Sequence, residues 1–176
     1  HSGSLIEKPP LFGAVELHKV AAEAISLFTL QQDATPIVLL NACTAGLCIK
    51  ADYQQLVQVL LNLLGNARDA SPPGGTITIA TTSTPTHIRL EVRDEGCGIP
   101  AAVLPRVFEP FFTTKDPGKG TGLGLALVYR LVNDQGGSVD IASPGAESRP
   151  GGTRVIVTFP CYDPCTLVTE SLVKGW

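Results

Sequence analysis

The chain predicts an α/β (α+β) two-layer sandwich, in which a mixed, mostly antiparallel sheet carries three main helices on one face. Three observations lead there. Apolar patterns of helical period over residues 16–31 and 53–70 alternate with short β-branched runs. The stretches TITIATTST and THIRLEVRD alternate with period two about Thr84-Pro85, as the arms of an antiparallel hairpin do. A third helical pattern, over residues 121–135, is followed by two more strand-like runs, SVDIASP and TRVIVTFP. At 176 residues the chain can bury about 70% of the surface its unfolded form exposes, so a single core suffices without covalent staples.

In the first helix Val20, Ala24, Leu27 and Phe28 recur at helical spacing, and Thr35-Pro36 ends the pattern. PIVLLNA and GLCIKA read as strands. Asp52 stands as N-cap before the long helix over residues 53–70, and SPPGG stops that helix. Leu56, Val59, Leu60, Leu63, Leu64 and Ala67 make its core face. Residues 94–120 read as loop with one short helix near 101–106, and the third helix closes at Gly136-Gly137. The expected division is a linker or cloning remnant over residues 1–15, a folded unit over 16–160 and a tail over 161–176. From the opening HSGS and the absence of Met, a segment of a longer protein is expected.

Composition narrows the function classes. The net charge is −3 and Lys and Arg form no cluster, which argues against a nucleic-acid partner. No apolar run approaches the roughly 20 residues that span a bilayer, and no signal-peptide pattern opens the chain. The five cysteines are odd in number and fit no disulfide framework, so free thiols in a reducing compartment are expected. The alternative is a metal or redox pair at Cys161 and Cys165, a C-x3-C without a nearby His.

Chemistry gathers in four places. The long helix carries Gln58, Asn62, Asn66 and Asp69 along one stripe, where a merely solvated face would carry Lys and Glu, better helix formers than Asn. An amide oxygen there is a hard, neutral ligand suited to Mg²⁺ that already carries phosphate; satisfaction by neighbouring backbone is the competing reading. RDEGCGIP puts Asp94 at a strand end before Gly96 and Gly98, so that a carboxylate can accept from an exocyclic amine while bare backbone admits a flat ring; an ordinary acidic turn would look the same. FEPFFTTK places Phe108, Phe111 and Phe112 in a loop, to anchor a lid or meet another domain, and ends on Lys115, a phosphate contact or a solvated lysine. GKGTGLGLALVYRL sets Gly118, Gly120, Gly122 and Gly124 at alternate positions before a helix. It is not a P-loop, because Gly120 follows Lys119, nor a dinucleotide G-x-G-x-x-G, because the third place falls on Leu123, Leu125 or Leu127. Unobstructed amides at a helix start nevertheless suit an anion such as a triphosphate.

The ordered set of NLLGNARDAS, DEGCGIP, FEPFFTTK and GKGTGLGLALVYRLV resembles the N, G1, F and G2 boxes of the catalytic and ATP-binding (HATPase) domain of bacterial two-component sensor histidine kinases, most like the nitrogen-regulatory subgroup. These belong to the gyrase, chaperone, histidine kinase and MutL superfamily, and the resemblance covers residues 17–160. It implies the Bergerat ATP-binding fold, with ATP and Mg²⁺ as cofactors. By the resemblance, Asn66 holds Mg²⁺ with Asn62 alongside, and Asp94 binds the adenine amine with support from Thr153. Gly96, Gly98 and Ile99 border the base. Lys115 and the backbone of Gly120, Thr121, Gly122, Leu123, Gly124 and Leu125 meet the phosphates, with Arg68 as a further candidate. Asp69 and Phe108 complete the nucleotide-contacting set, and the loop from Phe108 to Phe112 couples to a helical neighbour.

The implied reaction moves the γ-phosphoryl of ATP to a histidine, with Asn62, Asn66 and Lys115 as the catalytic set. His1, His18 and His87 lack the acidic and proline context of an acceptor, so the acceptor is expected on a separate dimerisation and histidine-phosphotransfer domain of the same protein. The implied partners are that domain and a response regulator. The full protein is expected to be a homodimer and this fragment a monomer, in the cytoplasm or as the cytoplasmic portion of a membrane-anchored sensor. Two other readings compete. A clamp ATPase of the gyrase or MutL kind has a glutamate one turn before its Mg²⁺ asparagine, and here that position is Asn62. An amide cannot take a proton from water, so hydrolysis is expected to be slow. An anti-sigma-type serine kinase or pure binding switch shares the N and G1 boxes but not the F-box wording.

Overall fold

Period-two alternation decides which face of the sheet is covered. The computed structural model describes residues 11–31, 36–98, 106, 124–142 and 152–162. In chain order the elements are β1 (Phe12–Glu16), α1 (Leu17–Gln31), β2 (Val38–Ala42), β3 (Cys48–Asp52), α2 (Tyr53–Ala70), β4 (Thr76–Ser83), β5 (His87–Asp94), α3 (Gly124–Asp134), β6 (Ser138–Ala142) and β7 (Thr153–Pro160). Five strands form one sheet in the order β2-β4-β5-β7-β6. Only β2 and β4 run parallel in it, and the other pairs are antiparallel. The mixed sheet and the helices packed on it are the sandwich that the sequence predicts.

Alternate residues Ile77 and Ile79, Ile88, Leu90 and Val92, and Val155, Val157 and Phe159 point to one side and are buried. The three helices add Val20, Ala24 and Phe28 from α1, Leu56, Leu60 and Leu64 from α2, and Val128 and Val132 from α3 to the same core. The α2 helix lies between α1 and α3 and over β5. Every position expected on its core face is buried, together with Val57. Asp52 caps it as expected, its carboxylate accepting from the Gln55 amide at 3.0 Å. The opposite sheet face is polar. There Arg93 and Arg154 stand directly opposed across β5 and β7, an unfavourable like-charge pairing. Glu91 relieves it, with Arg154 Nε at 2.7 Å and Arg93 Nε at 3.6 Å from its carboxylate.

Two expectations change. The run FGAVE, assigned to an N-terminal linker, forms β1 and pairs antiparallel with β3 in a separate two-stranded ribbon, so the folded unit starts before residue 16. With only five residues and a glycine among them, this run carries too little alternation to be read as a strand. Leu27, expected inside, is exposed, because the buried stripe of α1 runs through Leu17, Val20, Ala21, Ala24 and Phe28 instead. The short helix expected near residues 101–106 lies outside the described residues except for Arg106, and so does the start of the third helix at residues 121–123.

Candidate functional site

The C-terminal half of α2, the facing ends of β5 and β7, and the first turn of α3 come together. Asp94 and Thr153 are directly paired at the last position of β5 and the first of β7. The Asp94 carboxylate is half-buried and accepts from the Gly96 amide at 2.9 Å. Burial raises its pKa above the usual aspartate value, against the lowering pull of backbone hydrogen bonds from Gly96 and Thr153. Thr153 is buried, and its hydroxyl Oγ1 has no hydrogen-bond partner among the described residues. A buried polar group left in that state is costly unless something else pairs with it.

The glycines of this corner have a reason that the sequence did not reveal. A side chain on Gly96 would sit 2.1 Å from the Ala70 carbonyl oxygen, so its bareness lets the loop pack on the end of α2, where the Cys97 amide donates to that carbonyl at 3.1 Å. Gly98 and Gly152 adopt positive φ of 74° and 90°, a region costly for other residues. Gly152 donates to the Gly96 carbonyl at 2.6 Å and closes the corner behind Asp94.

On α2, Asn62 and Asn66 are half-buried while Gln58 and Asp69 are exposed. Asn62 Nδ2 is buried with no partner among the described residues, and its Oδ1 accepts from Gln58 Nε2 at 3.5 Å. Gly124, the first residue of α3, faces the Asn66 carboxamide: a β-carbon there would lie 3.4 Å from Nδ2 and 3.6 Å from Oδ1. The asparagine stripe and the glycine-rich helix start, 58 residues apart in sequence by 124 − 66, are thus in contact.

The Arg68 guanidinium is 5.1 Å from the centre of the Phe28 ring on α1, and its Nε is 3.6 Å from Asp69 Oδ1. The Phe28 contact turns Arg68 toward α1, and neither contact bears on a phosphate role. Leu125 packs on the core. Ile99, Phe108, Lys115, Gly120, Thr121, Gly122 and Leu123 lie outside the described residues, as do Phe111, Phe112 and Cys165. Cys43, Cys48, Cys97 and Cys161 are free thiols, and burial pushes the pKa of Cys43 up to about 11. No described helix is long and apolar enough to cross a membrane.

One residue of the helical layer escaped the sequence reading. Gln135, just past α3, is buried, accepts from the Asp52 amide at 2.7 Å and donates to Gln55 Oε1 at 3.0 Å and the Leu131 carbonyl at 3.1 Å. The available signal was a glutamine immediately before the Gly-Gly stop, at a place where a helix end needs its carbonyls satisfied.

A profile of the histidine kinase-, DNA gyrase B-, and HSP90-like ATPases matches residues 51–163. Sporulation kinase A of Bacillus subtilis is 35% identical over 147 residues, covering 83% of this chain and 23% of that protein. The sensor kinase CckA of Brucella abortus is 47% identical over 106 residues, covering 52% of this chain and 11% of that protein. This chain therefore spans well under a third of these relatives. Among solved structures, the mycobacterial sensor histidine kinase MprB superposes with a TM-score of 0.75 at 28% identity, covering 86% of this chain and 98% of that one. The catalytic domain of histidine kinase ThkA gives 0.73 at 31% identity, covering 86% and 96%.

Proposed function

Because the chain belongs to the histidine kinase-, DNA gyrase B- and HSP90-like ATPase family, we propose that it is the ATP-binding catalytic domain of a sensor histidine kinase. It presents the γ-phosphoryl of ATP to a histidine on a separate dimerisation and phosphotransfer domain, for relay to a response regulator. ThkA, one of the similar kinases, has been solved in complex with a response regulator, TrrA, which supports the second part.

One observation carries the nucleotide reading: Asp94, an acceptor held by two backbone amides, is paired at the corner with Thr153, whose buried hydroxyl lacks a partner among the described residues. An adenine ring edge, with its exocyclic amine donor and ring nitrogen acceptors, fits that pair. On α2 the half-buried Asn66 carboxamide offers an oxygen of the kind Mg²⁺ accepts. Among the described residues no three His, Cys, Asp or Glu side chains gather that could hold a metal by themselves. Asn66 would therefore share Mg²⁺ with phosphate oxygens. Bound ATP supplies the phosphoryl group and Mg²⁺ screens its charge, while the chain itself orients and neutralises.

Asn62 bears on what the domain does with ATP. Its carboxamide stands one helical turn before Asn66 and cannot accept a proton from water, so the domain holds ATP without spending it until an acceptor imidazole arrives. Full-length activity then needs the second domain and a homodimer to bring it, with the isolated chain a monomer in the cytoplasmic part of its protein.

The test is a calorimetric titration of the domain with a non-hydrolysable ATP analogue and Mg²⁺, beside Asn66→Ala and Asp94→Ala. Saturable binding lost in both variants is expected. Full binding by both variants overturns the site, and steady ATP hydrolysis at the rate of clamp ATPases overturns the kinase reading.

A further inference from the structure

The two contacts between α2 and α3 form a ruler, and we propose that Gln135 is a positioning residue which, from the end of α3 remote from the site, sets how closely Gly124 approaches Asn66. This rests on the nucleotide site proposed above. On α2, Gln55 and Asn66 are 66 − 55 = 11 residues apart; across the pair, Gly124 and Gln135 are also 135 − 124 = 11 apart. Gly124 meets Asn66 and Gln135 meets Gln55, so the helices run antiparallel with matched rungs at both ends. Eleven residues make about three helical turns and about 16 Å, which returns each rung to nearly the same face of its helix.

The far rung has the chemistry of a pin. The Gln135 side chain uses its acceptor on the Asp52 amide at 2.7 Å and its Nε2 group on Gln55 Oε1 at 3.0 Å and Leu131 O at 3.1 Å. Hydrogen bonds are directional, so these contacts fix both the rotation and the axial position of α3. Between the rungs α3 buries Val128, Leu131 and Val132, apolar side chains whose attraction, unlike a hydrogen bond, is non-directional. Asp52 anchors the pin to the fold, since its carboxylate caps α2 through Gln55 and accepts the Leu11 amide at 2.7 Å. Just beyond, Gly136 at φ 83° turns the chain, and Gly137 donates to the Val132 carbonyl at 2.9 Å. The end of α3 is thus held on two sides. A slip there moves the whole helix, and with it the gap at Gly124.

Loss of register should weaken nucleotide binding beyond what loss of stability explains. Gln135→Leu keeps the bulk and removes every side-chain hydrogen bond of the pin. Measured well below its melting temperature, it is expected to raise the dissociation constant of the Mg²⁺-bound ATP analogue about tenfold. Val20→Ala, a buried change in α1, serves as a destabilised control whose affinity stays at the native value. Combining Gln135→Leu with Gly124→Ala should give a loss that departs from the product of the single losses, although sites this far apart with no shared partner ordinarily act independently. A folded Gln135→Leu that binds as tightly as Val20→Ala, or strict multiplicativity in the double variant, overturns the inference. Should Gln135→Leu not fold, Gln55→Leu decides: weakened binding supports the ruler and native affinity overturns it. A native domain that binds no nucleotide removes the functional reading together with the ruler, an outcome distinct from native binding with unaffected variants.

Discussion

The strand side and the helix side of the candidate pocket are built on different principles. At the strand end, the last residue of β5 faces the first of β7, and backbone amides of Gly96 and Thr153 hold the Asp94 carboxylate. On the helix side, Asn62 and Asn66 project from α2 and depend on side-chain neighbours and on the seating of α3 against them. A backbone-held group keeps its place as long as the sheet exists. A helix-borne group is only as well placed as the helix opposite. The backbone frame of the strand side should therefore respond to substitution in an all-or-none manner, and the side chains it carries, like those of the helix side, in degrees.

The largest effect is expected on the strand side. Gly96→Ala would place a methyl 2.1 Å from the Ala70 carbonyl, and backbone cannot yield as a flexible side chain can. The variant should lose about 3 kcal/mol or more in denaturant unfolding. Native stability in Gly96→Ala would show that the corner is softer than a backbone-held site should be. Asp94→Ala comes next, with about a tenfold to hundredfold loss of analogue affinity by calorimetry, the magnitude of a hydrogen bond to a charged group. On the helix side Asn66→Ala should lose about tenfold, and the loss should shrink when Mg²⁺ is omitted from the titration. An equal loss with and without the metal would separate Asn66 from the cation.

Asp94 also sharpens the comparison through pH. Because burial raises its folded pKa, the folded protein takes up this proton more readily than the unfolded chain does. Its contribution to stability is thus fully present below the unfolded pKa and is lost as pH rises through the folded value. At neutral pH the ionised group is a net cost, so Asp94→Asn should be at least as stable as the native chain at pH 7, by thermal melting. Analogue affinity of the native domain should fall on acidification at a pH above that of an ordinary aspartate. An affinity unchanged down to the usual carboxylate range would remove Asp94 from the binding step. The smallest effect is expected from Thr153→Val, which removes a buried hydroxyl that lacks a protein partner among the described residues. It should gain a few tenths of a kcal/mol in the nucleotide-free protein and lose a few-fold in affinity.

The sandwich and most of its elements were legible because burial imposes a period. The seven buried positions of α2 recur as a helix stripe must, and the β4–β5 hairpin alternates about its turn. β1 was not, because a short strand in a two-stranded ribbon is made by its partner β3 and carries no strong period of its own. In the site, Asp94, Asn62 and Asn66 could be chosen from residue type and place on an element, and Thr153 through the family resemblance. The packing role of Gly96 could not, since it depends on where the end of α2 falls. Arg68, a further phosphate candidate by the resemblance, lies over Phe28, a neighbour that only the fold reveals.

What the sequence by itself determined is the set of periods, caps and stops, and the four motifs whose order marks the family. These are local properties, encoded in neighbours along the chain. Only the tertiary structure decided that Gly124 rests against Asn66, that Asp94 faces Thr153, and that Gln135 ties the end of α3 to the cap of α2. Such contacts join residues from 58 to 83 positions apart. Nothing in local propensity sets their distance; it follows from how the packed core seats one helix against another and one strand beside the next.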